Sequence, residues 1–296
     1  MQGLILLDKG GGITSFGAVA KLRRIYGQKR AGHTGTLDPM ATGVLPVLLG
    51  RGTRLCSLML ESDKGYTAEF ELGYTTDTLD CTGQVLTRSQ VWCGEEEVRG
   101  VLEHFRGRIQ QTPPMYSALR QDGRRLYDLA RDGIEVERAP RDVTIHSLQL
   151  VAHTGENRYT VDVRCSKGTY IRSLVDDIGA ALGCGATMTG LRRTYTAGFD
   201  IAECATLEQI EADPSAHLLS ADRAVMHLPR ADITEAQTSR FMNGGQLMLE
   251  RVKFHSQAQD GSLVRVYGGQ FVGLGQVDEA SGMLLVKCLT AGGDGA

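Results

Sequence analysis

The chain has 296 residues, 42% hydrophobic and 23% charged, an ordinary globular mixture that suits one large domain or two smaller ones and supports a sizeable core. Its formal net charge of −3 announces no polyanionic partner, and no run of ~18 apolar residues exists to span a membrane. The seven cysteines are odd in number and include no Cys-x-x-Cys, which argues against a disulfide framework and against a zinc ribbon. The opening Met1–Lys9 has an apolar run too short for a signal peptide and no basic residues before it, so a cytoplasmic location is expected.

Residues 3–7 read as a buried strand, followed by the turn Gly10-Gly11-Gly12. Thr14 or Ser15 then caps a helix whose apolar positions Phe16, Val19, Leu22 and Ile25 recur every three residues, with a basic cluster mostly opposite them. That helix leads into a loop, Arg30–Pro46, stiffened by Gly32, Gly35, Gly43, Pro39 and Pro46. Residues 65–73 alternate as a half-buried strand, with Tyr66, Ala68, Phe70 and Leu72 on one face. Helices are expected over 95–105 and 124–132. Tyr159, Val161, Val163 and Cys165 alternate as a second strand. After Ser166–Thr169 a helix begins near Tyr170, with Ile171, Leu174, Val175, Ile178 and Leu182 as its buried stripe. A boundary falls near Leu228-Pro229-Arg230. Beyond it, Thr234-x-x-Gln237 resembles a capping box, Gly244 suits a helix stop, and β-like stretches at 262–267, 271–277 and 283–289 suggest a β-barrel domain of about 60 residues. The end, Ala291–Ala296, is expected to fray. No internal repeat occurs.

Chemistry concentrates in the Arg30–Pro46 run. Asp38 and His33 stand among small and apolar residues with no second acid in the loop, a setting that suits a nucleophile better than half of an acid/base pair. Capping of a turn before Pro39 is the plain structural alternative. Arg172 lies in the first turn of the 170–182 helix, where a cation opposes the helix dipole by roughly 0.3–1 kcal/mol and calls for a partner. That partner is either Asp176 on the helix surface or, favoured by the strand–turn–helix junction, Asp38 across a cleft. Tyr66 and Tyr170 each read as core residues or as aromatics lining a pocket, where stacking on a base contributes roughly 1–3 kcal/mol. His33 belongs to no metal-ligand spacing; it is a hydrogen-bonded surface residue or one that stacks into an RNA loop. Lys9 precedes its glycines, the reverse of a P-loop. Gly32 stands where the phosphorylated-aspartate ATPases place their nucleophile, so that reading fails as well. Basic residues cluster at Lys21–Arg30, at Arg120–Arg141 and at Arg192-Arg193, as solvated faces or as phosphate grips.

Several separated blocks together resemble the bacterial tRNA pseudouridine synthase B (TruB) family. They are Leu7-Asp8-Lys9 with Gly12-x-Thr14-Ser15; Gly32 to Pro46; Lys64-x-Tyr66; Thr112 to Ala118; Cys165 to Arg172; and Leu191-Arg192-Arg193. The resemblance implies an α+β fold, with a mixed β-sheet catalytic domain and flanking helices over 1–228 and a small PUA-like RNA-binding β domain over 229–296. It implies isomerisation of uridine to pseudouridine at position 55 of the tRNA T-loop, with no cofactor, no metal, no membrane and no obligatory protein partner. It makes Asp38 the nucleophile, Arg172 its ion-pair partner, and Tyr66 the residue that stacks on uracil and assists proton removal. Tyr170 and Leu191 would line the pocket, His33 would pack into the T-loop, and Lys9 would support the loop. Gly10 departs from the family's usual proline and is expected to loosen that turn. The rival readings are a non-catalytic tRNA-binding or RNA-folding protein and a pseudouridine synthase for another RNA.

Overall fold

The computed structural model describes residues 2–117, 119–121 and 123–291. Ala118 of the Thr112–Ala118 block and the Gly292–Ala296 tail lie outside them. The chain divides into two compact units: Met1–Pro39 with Leu45–Glu61 and Ala202–Ala296, and Met40–Val44 with Ser62–Ile201.

The first unit opens with β1 (Gly3–Lys9), whose Leu4–Leu7 run is buried and exchanges backbone hydrogen bonds with Leu219 and Ala205. Helix α1 (Ser15–Ile25) starts where the Thr14 hydroxyl accepts the Gly17 N–H. Its buried face is Ser15, Ala18, Val19 and Leu22, while Phe16 is 74% exposed. The expected three-residue stripe therefore does not hold. Residues three apart precess around a helix of 3.6 residues per turn, so Phe16 and Ile25 fall on opposite sides; Ile25 stays half-buried at the edge of the buried face, and Phe16 turns out to solvent. The Arg30–Pro46 run is also less of a loop than expected. β2 (Ala31–His33) pairs antiparallel with β3 (Thr42–Leu49), His33 opposite Val47, leaving residues 34–41 as the loop. Pro46 stays within β3 because only its carbonyl is needed there, where it accepts the Thr34 N–H.

In the second unit, β4 (Lys64–Leu72), α2 (Glu95–His104), β5 (Gly107–Gln111), β6 (Arg141–His153), β7 (Arg158–Cys165), α3 (Ile171–Ala181) and β8 (Ala186–Thr196) follow in chain order. The strand order is β3–β8–β4–β7–β6–β5, antiparallel throughout except for β3 with β8. Tyr66 sits opposite Val163 on one side and Arg193 on the other. The helix expected over 124–132 is shorter, Leu126–Arg131, because Arg124–Arg125 pairs with Arg120–Gln121 as a two-residue ladder. Helix α3 buries the expected Ile171, Leu174, Val175 and Ile178, and Arg172 and Ser173 besides.

Where β3 and β8 meet, glycine is obligatory. Gly43 has φ +104°, and a β-carbon there would lie 2.1 Å from the Arg193 carbonyl oxygen. Gly43→Ala is expected to cost more than about 3 kcal/mol, read as a lowered midpoint in urea unfolding.

Helix α3 also carries a pH-sensitive pair. Burial, and then the charge of Asp176, pushes the Asp177 carboxyl up to about 6. A carboxyl raised on folding favours the folded state below its unfolded value and loses that contribution as pH rises through about 6. Asp177→Asn should therefore raise Tm at pH 7.5 and leave it nearly unchanged at pH 4. An equal shift at both pH values would contradict the assignment.

The C-terminal part of the first unit contains β9 (Arg230–Asp232), α4 (Glu235–Met242), β10 (Leu247–Met248), β11 (Lys253–Phe254), β12 (Leu263–Gly268), β13 (Gln270–Asp278) and β14 (Met283–Leu289). These strands form a curled sheet in the order β10–β14–β13–β12–β9–β11 around Phe241, Val264, Val266 and Leu284. The expected capping box is formed: Thr234 Oγ1 accepts the Gln237 N–H, and Gln237 Oε1 accepts the Thr234 N–H. The fold is α+β, with a PUA-like sheet at its C-terminal end. Among the described residues no helix is long and apolar enough to cross a membrane.

Candidate active site

In the first unit residues 34–39 of the loop are held by the turn that joins β1 to α1. Ser15 Oγ is buried; it accepts the Leu37 N–H at 2.8 Å and donates to the Leu37 carbonyl at 3.0 Å. The Lys9 ammonium is fully buried and donates to the carbonyls of Ile13 (2.8 Å), Gly10 (2.9 Å) and Pro39 (3.3 Å). Gly12 N–H donates to the same Pro39 oxygen at 2.9 Å. A buried ammonium is tolerable only where acceptors replace its water, and three carbonyls do so here. Both chain neighbours of Asp38 are thereby fixed, and Asp38 itself is half-buried. Around Gly10 a β-carbon would meet open space, and the turn takes its shape from Lys9 and Gly12. His33, half-buried, is the last residue of β2 and leads directly into the loop.

In the second unit the start of α3 is built as a socket for Arg172. Tyr170 is the N-cap, and the buried Gln111 carboxamide grips its main chain twice. Gln111 Oε1 accepts the Tyr170 N–H at 2.7 Å, and Gln111 Nε2 donates to the Tyr170 carbonyl at 3.0 Å. This compensates for the absence of a Ser, Thr, Asp or Asn cap. Ser173 Oγ adds a bond to the Thr112 carbonyl. Arg172 is 5% exposed, which rules out the surface pair with Asp176. Its guanidinium donates to the carbonyls of Thr78 (3.0 Å) and Tyr116 (2.7 Å) and lies 3.7 Å from Asp80 Oδ2.

Asp80 was not anticipated from sequence. It is buried in the turn of residues 76–83, where its Oδ1 accepts from Thr78 Oγ1 (2.9 Å), Thr82 N (3.0 Å) and Thr82 Oγ1 (2.5 Å). Leu79 takes φ +62°, and the Cys81 N–H ties the turn to the Met188 carbonyl on β8. A buried carboxylate held this way places negative charge beside Arg172 and offsets the unfavourable end of the helix dipole.

The central strands supply the remaining residues. By the register of β4 and β8, the buried Tyr66 and the half-buried Leu191 share one sheet face with Ala68 and Arg193. Arg193 is 1% exposed and donates through Nε to the Val44 carbonyl at 2.7 Å. Burial, and then the charge of Arg193, lowers the Lys64 ammonium below its ordinary value. The second unit thus brings Tyr66 and Leu191 onto adjacent strands, with Tyr170 and Arg172 at the start of α3. Lys9 and the flanks of Asp38 are joined within the first unit.

The family model described as TruB family pseudouridylate synthase (N terminal domain) matches residues 23–171. The tRNA pseudouridylate synthase B C-terminal domain matches 172–226, and Pseudouridine synthase II TruB, C-terminal, matches 229–286. The chain is similar to tRNA pseudouridine synthase B of Azoarcus sp. (strain BH72), with 46% identity over 98% of this chain and 95% of that one. The enzyme of the same name from Pseudomonas fluorescens (strain Pf0-1) is 44% identical over 94% of this chain and 92% of its own length. Among solved structures, a chain of an H/ACA RNP bound to a substrate RNA containing 2′-deoxyuridine superposes with TM-score 0.73 at 25% identity, covering 98% of this chain and 85% of that one. A chain of a Cbf5-Nop10-Gar1 complex gives TM-score 0.72 at 28% identity, covering 97% and 84%.

Proposed function

Because the chain belongs to the TruB family of pseudouridylate synthases, we propose that it converts uridine 55 in the T-loop of tRNA to pseudouridine. The observation that carries this reading is the 46% identity to a tRNA pseudouridine synthase B over 98% of the chain. The N1–C1′ bond breaks, the uracil turns, and C5 bonds to C1′; the C5 proton leaves and N1 gains a proton. Atoms and electrons balance with no redox partner and no nucleotide.

In this reading the Asp38 carboxylate attacks the sugar or the base, and Arg172 is its ion-pair partner, holding the carboxyl ionised and its oxygens aimed. The clamp of Ser15, Gly12 and Lys9 on Leu37 and Pro39 supports such a role, since a nucleophile must be held within a few tenths of an ångström of its target. Tyr66 stacks on the uracil and assists removal of the C5 proton. Tyr170 and Leu191 line its pocket. His33 fills the space that the base vacates, which offsets the few kcal/mol needed to unstack a base. Residues 1–228 form the catalytic domain and 229–296 the PUA-like RNA-binding domain. Its substrate places the protein in the cytoplasm.

Incubation with a T-arm stem-loop, followed by chemical derivatisation of pseudouridine, tests the reading. One modified base per RNA is expected, with none on anticodon-arm or ribosomal fragments. Tight binding without any modified base would instead support a tRNA-folding protein. Turnover on another RNA but not on the T-arm would reassign the substrate.

A further inference from the structure

We propose that Phe16 is a stacking platform for an unpaired base of the RNA substrate, with Arg23 and Arg24 of the same helix gripping the adjoining phosphates. This rests on the RNA-modifying function proposed above and adds a contact residue to it.

A single exposed apolar side chain needs no special account in a folded protein. Phe16 differs in where it stands. It is 74% exposed in the first turn of α1, directly after Ser15, whose hydroxyl holds both backbone groups of Leu37 beside Asp38. Its ring is therefore anchored through the chain to the loop that carries the proposed nucleophile.

The surroundings select the occupant. From Lys9 to Leu37 the sequence contains Lys9, Lys21, Arg23, Arg24, Lys29 and Arg30 and no aspartate or glutamate, in a chain whose net charge is −3. All of these cations except Lys9 are exposed. Phe16, Ala20 and Arg23, at i, i+4 and i+7, share one helix face, and Arg24 flanks it. Ala20 is too small to cover the ring. At 1.5 Å rise per residue the aromatic head and Arg23 are about 10 Å apart along the axis, a span that one or two nucleotides of single-stranded RNA bridge. Arg23 commits one donor to the Gln28 carbonyl at 3.4 Å, which steadies its side chain. Glu208 acts on Lys21, but the neighbouring Arg23, Arg24, Lys29 and Arg30 are all exposed cations. Such a cluster calls for a polyanion, and an aromatic ring at its head calls for an unstacked base. An apolar protein surface would meet five exposed cations here.

The test uses the full-length protein and a T-arm stem-loop RNA. Phe16→Ala is expected to weaken RNA binding between about 5- and 150-fold, with the dependence of log K on log salt unchanged. KM should rise while kcat changes little. Phe16→Trp should restore affinity, because any aromatic face serves. Arg23→Gln should lower the salt slope by about one. The ring is exposed, so Tm should be unaltered in both Phe16 variants. Wild-type affinity for Phe16→Ala would overturn the proposal, as would a fall in kcat at unchanged affinity or an altered oligomeric state. Failure of the wild type to form pseudouridine would instead remove the functional reading itself.

Discussion

Asp38→Asn is expected to abolish pseudouridine formation, with turnover falling by more than about 10³-fold while the RNA still binds. The amide is nearly isosteric with the carboxylate, and the clamp on either side of it uses only backbone groups of Leu37 and Pro39. The loop should therefore keep its shape and the RNA surface should persist. What is lost is a negatively charged oxygen able to form a bond. Single-turnover assays at saturating RNA, with affinity measured separately, distinguish a chemical defect from a binding defect. A variant that turns over at the wild-type rate would remove Asp38 from the chemistry. One that no longer binds RNA would make it a structural residue of the loop.

Arg172→Met should be the most destabilising of the site substitutions. The guanidinium is buried, and its removal strands the Thr78 and Tyr116 carbonyls and leaves the buried Asp80 carboxylate without the cation 3.7 Å away. Breaking a buried pair on one side costs about 3–5 kcal/mol, which corresponds to a fall in Tm of roughly 10 °C. Turnover should fall as well, because Asp38 loses its proposed partner. Arg172→Lys separates the two effects. It keeps the charge but lacks the planar fork that reaches two carbonyls at once. It should recover most of the thermal stability and still turn over at least about 100-fold more slowly than wild type. If the lysine variant is fully active, the geometry of the guanidinium has no part in catalysis.

Elements whose side chains obey one period were legible in the sequence. β4 and β7 alternate strictly, α3 carries a clean apolar stripe, and the Thr234-x-x-Gln237 box marks the start of α4. Elements whose polar residues are satisfied by distant partners were not. β8 is a central strand, yet it reads as Thr, Gly and Arg because Thr187 bonds the Tyr74 carbonyl and Arg193 the Val44 carbonyl. β3 was hidden by Pro46, which reads as a turn until its carbonyl is seen at work.

The site divides in the same way. Asp38 and Arg172 stand out by residue type and local context, whereas Tyr66 reads equally as a core residue and takes its proposed role only from the family resemblance. Asp80 does not, because it lies in a hydroxyl-rich turn, 92 positions before the arginine beside it. Lys9 could be tied to the loop only by resemblance; its contact with Pro39, 30 residues away, supplies the physical reason. Phe16 was misassigned because a three-residue repeat imitates a helical face for two turns before it drifts off.

Release of tritium from C5-labelled uridine tests the central claim most directly, since the C5 hydrogen must leave if C5 is to bond to the sugar. With a T-arm stem-loop labelled at the target uridine, the wild type should release one equivalent of label, and Asp38→Asn should release none. Retention of all label by the wild type, in the presence of tight RNA binding, would contradict the isomerase account.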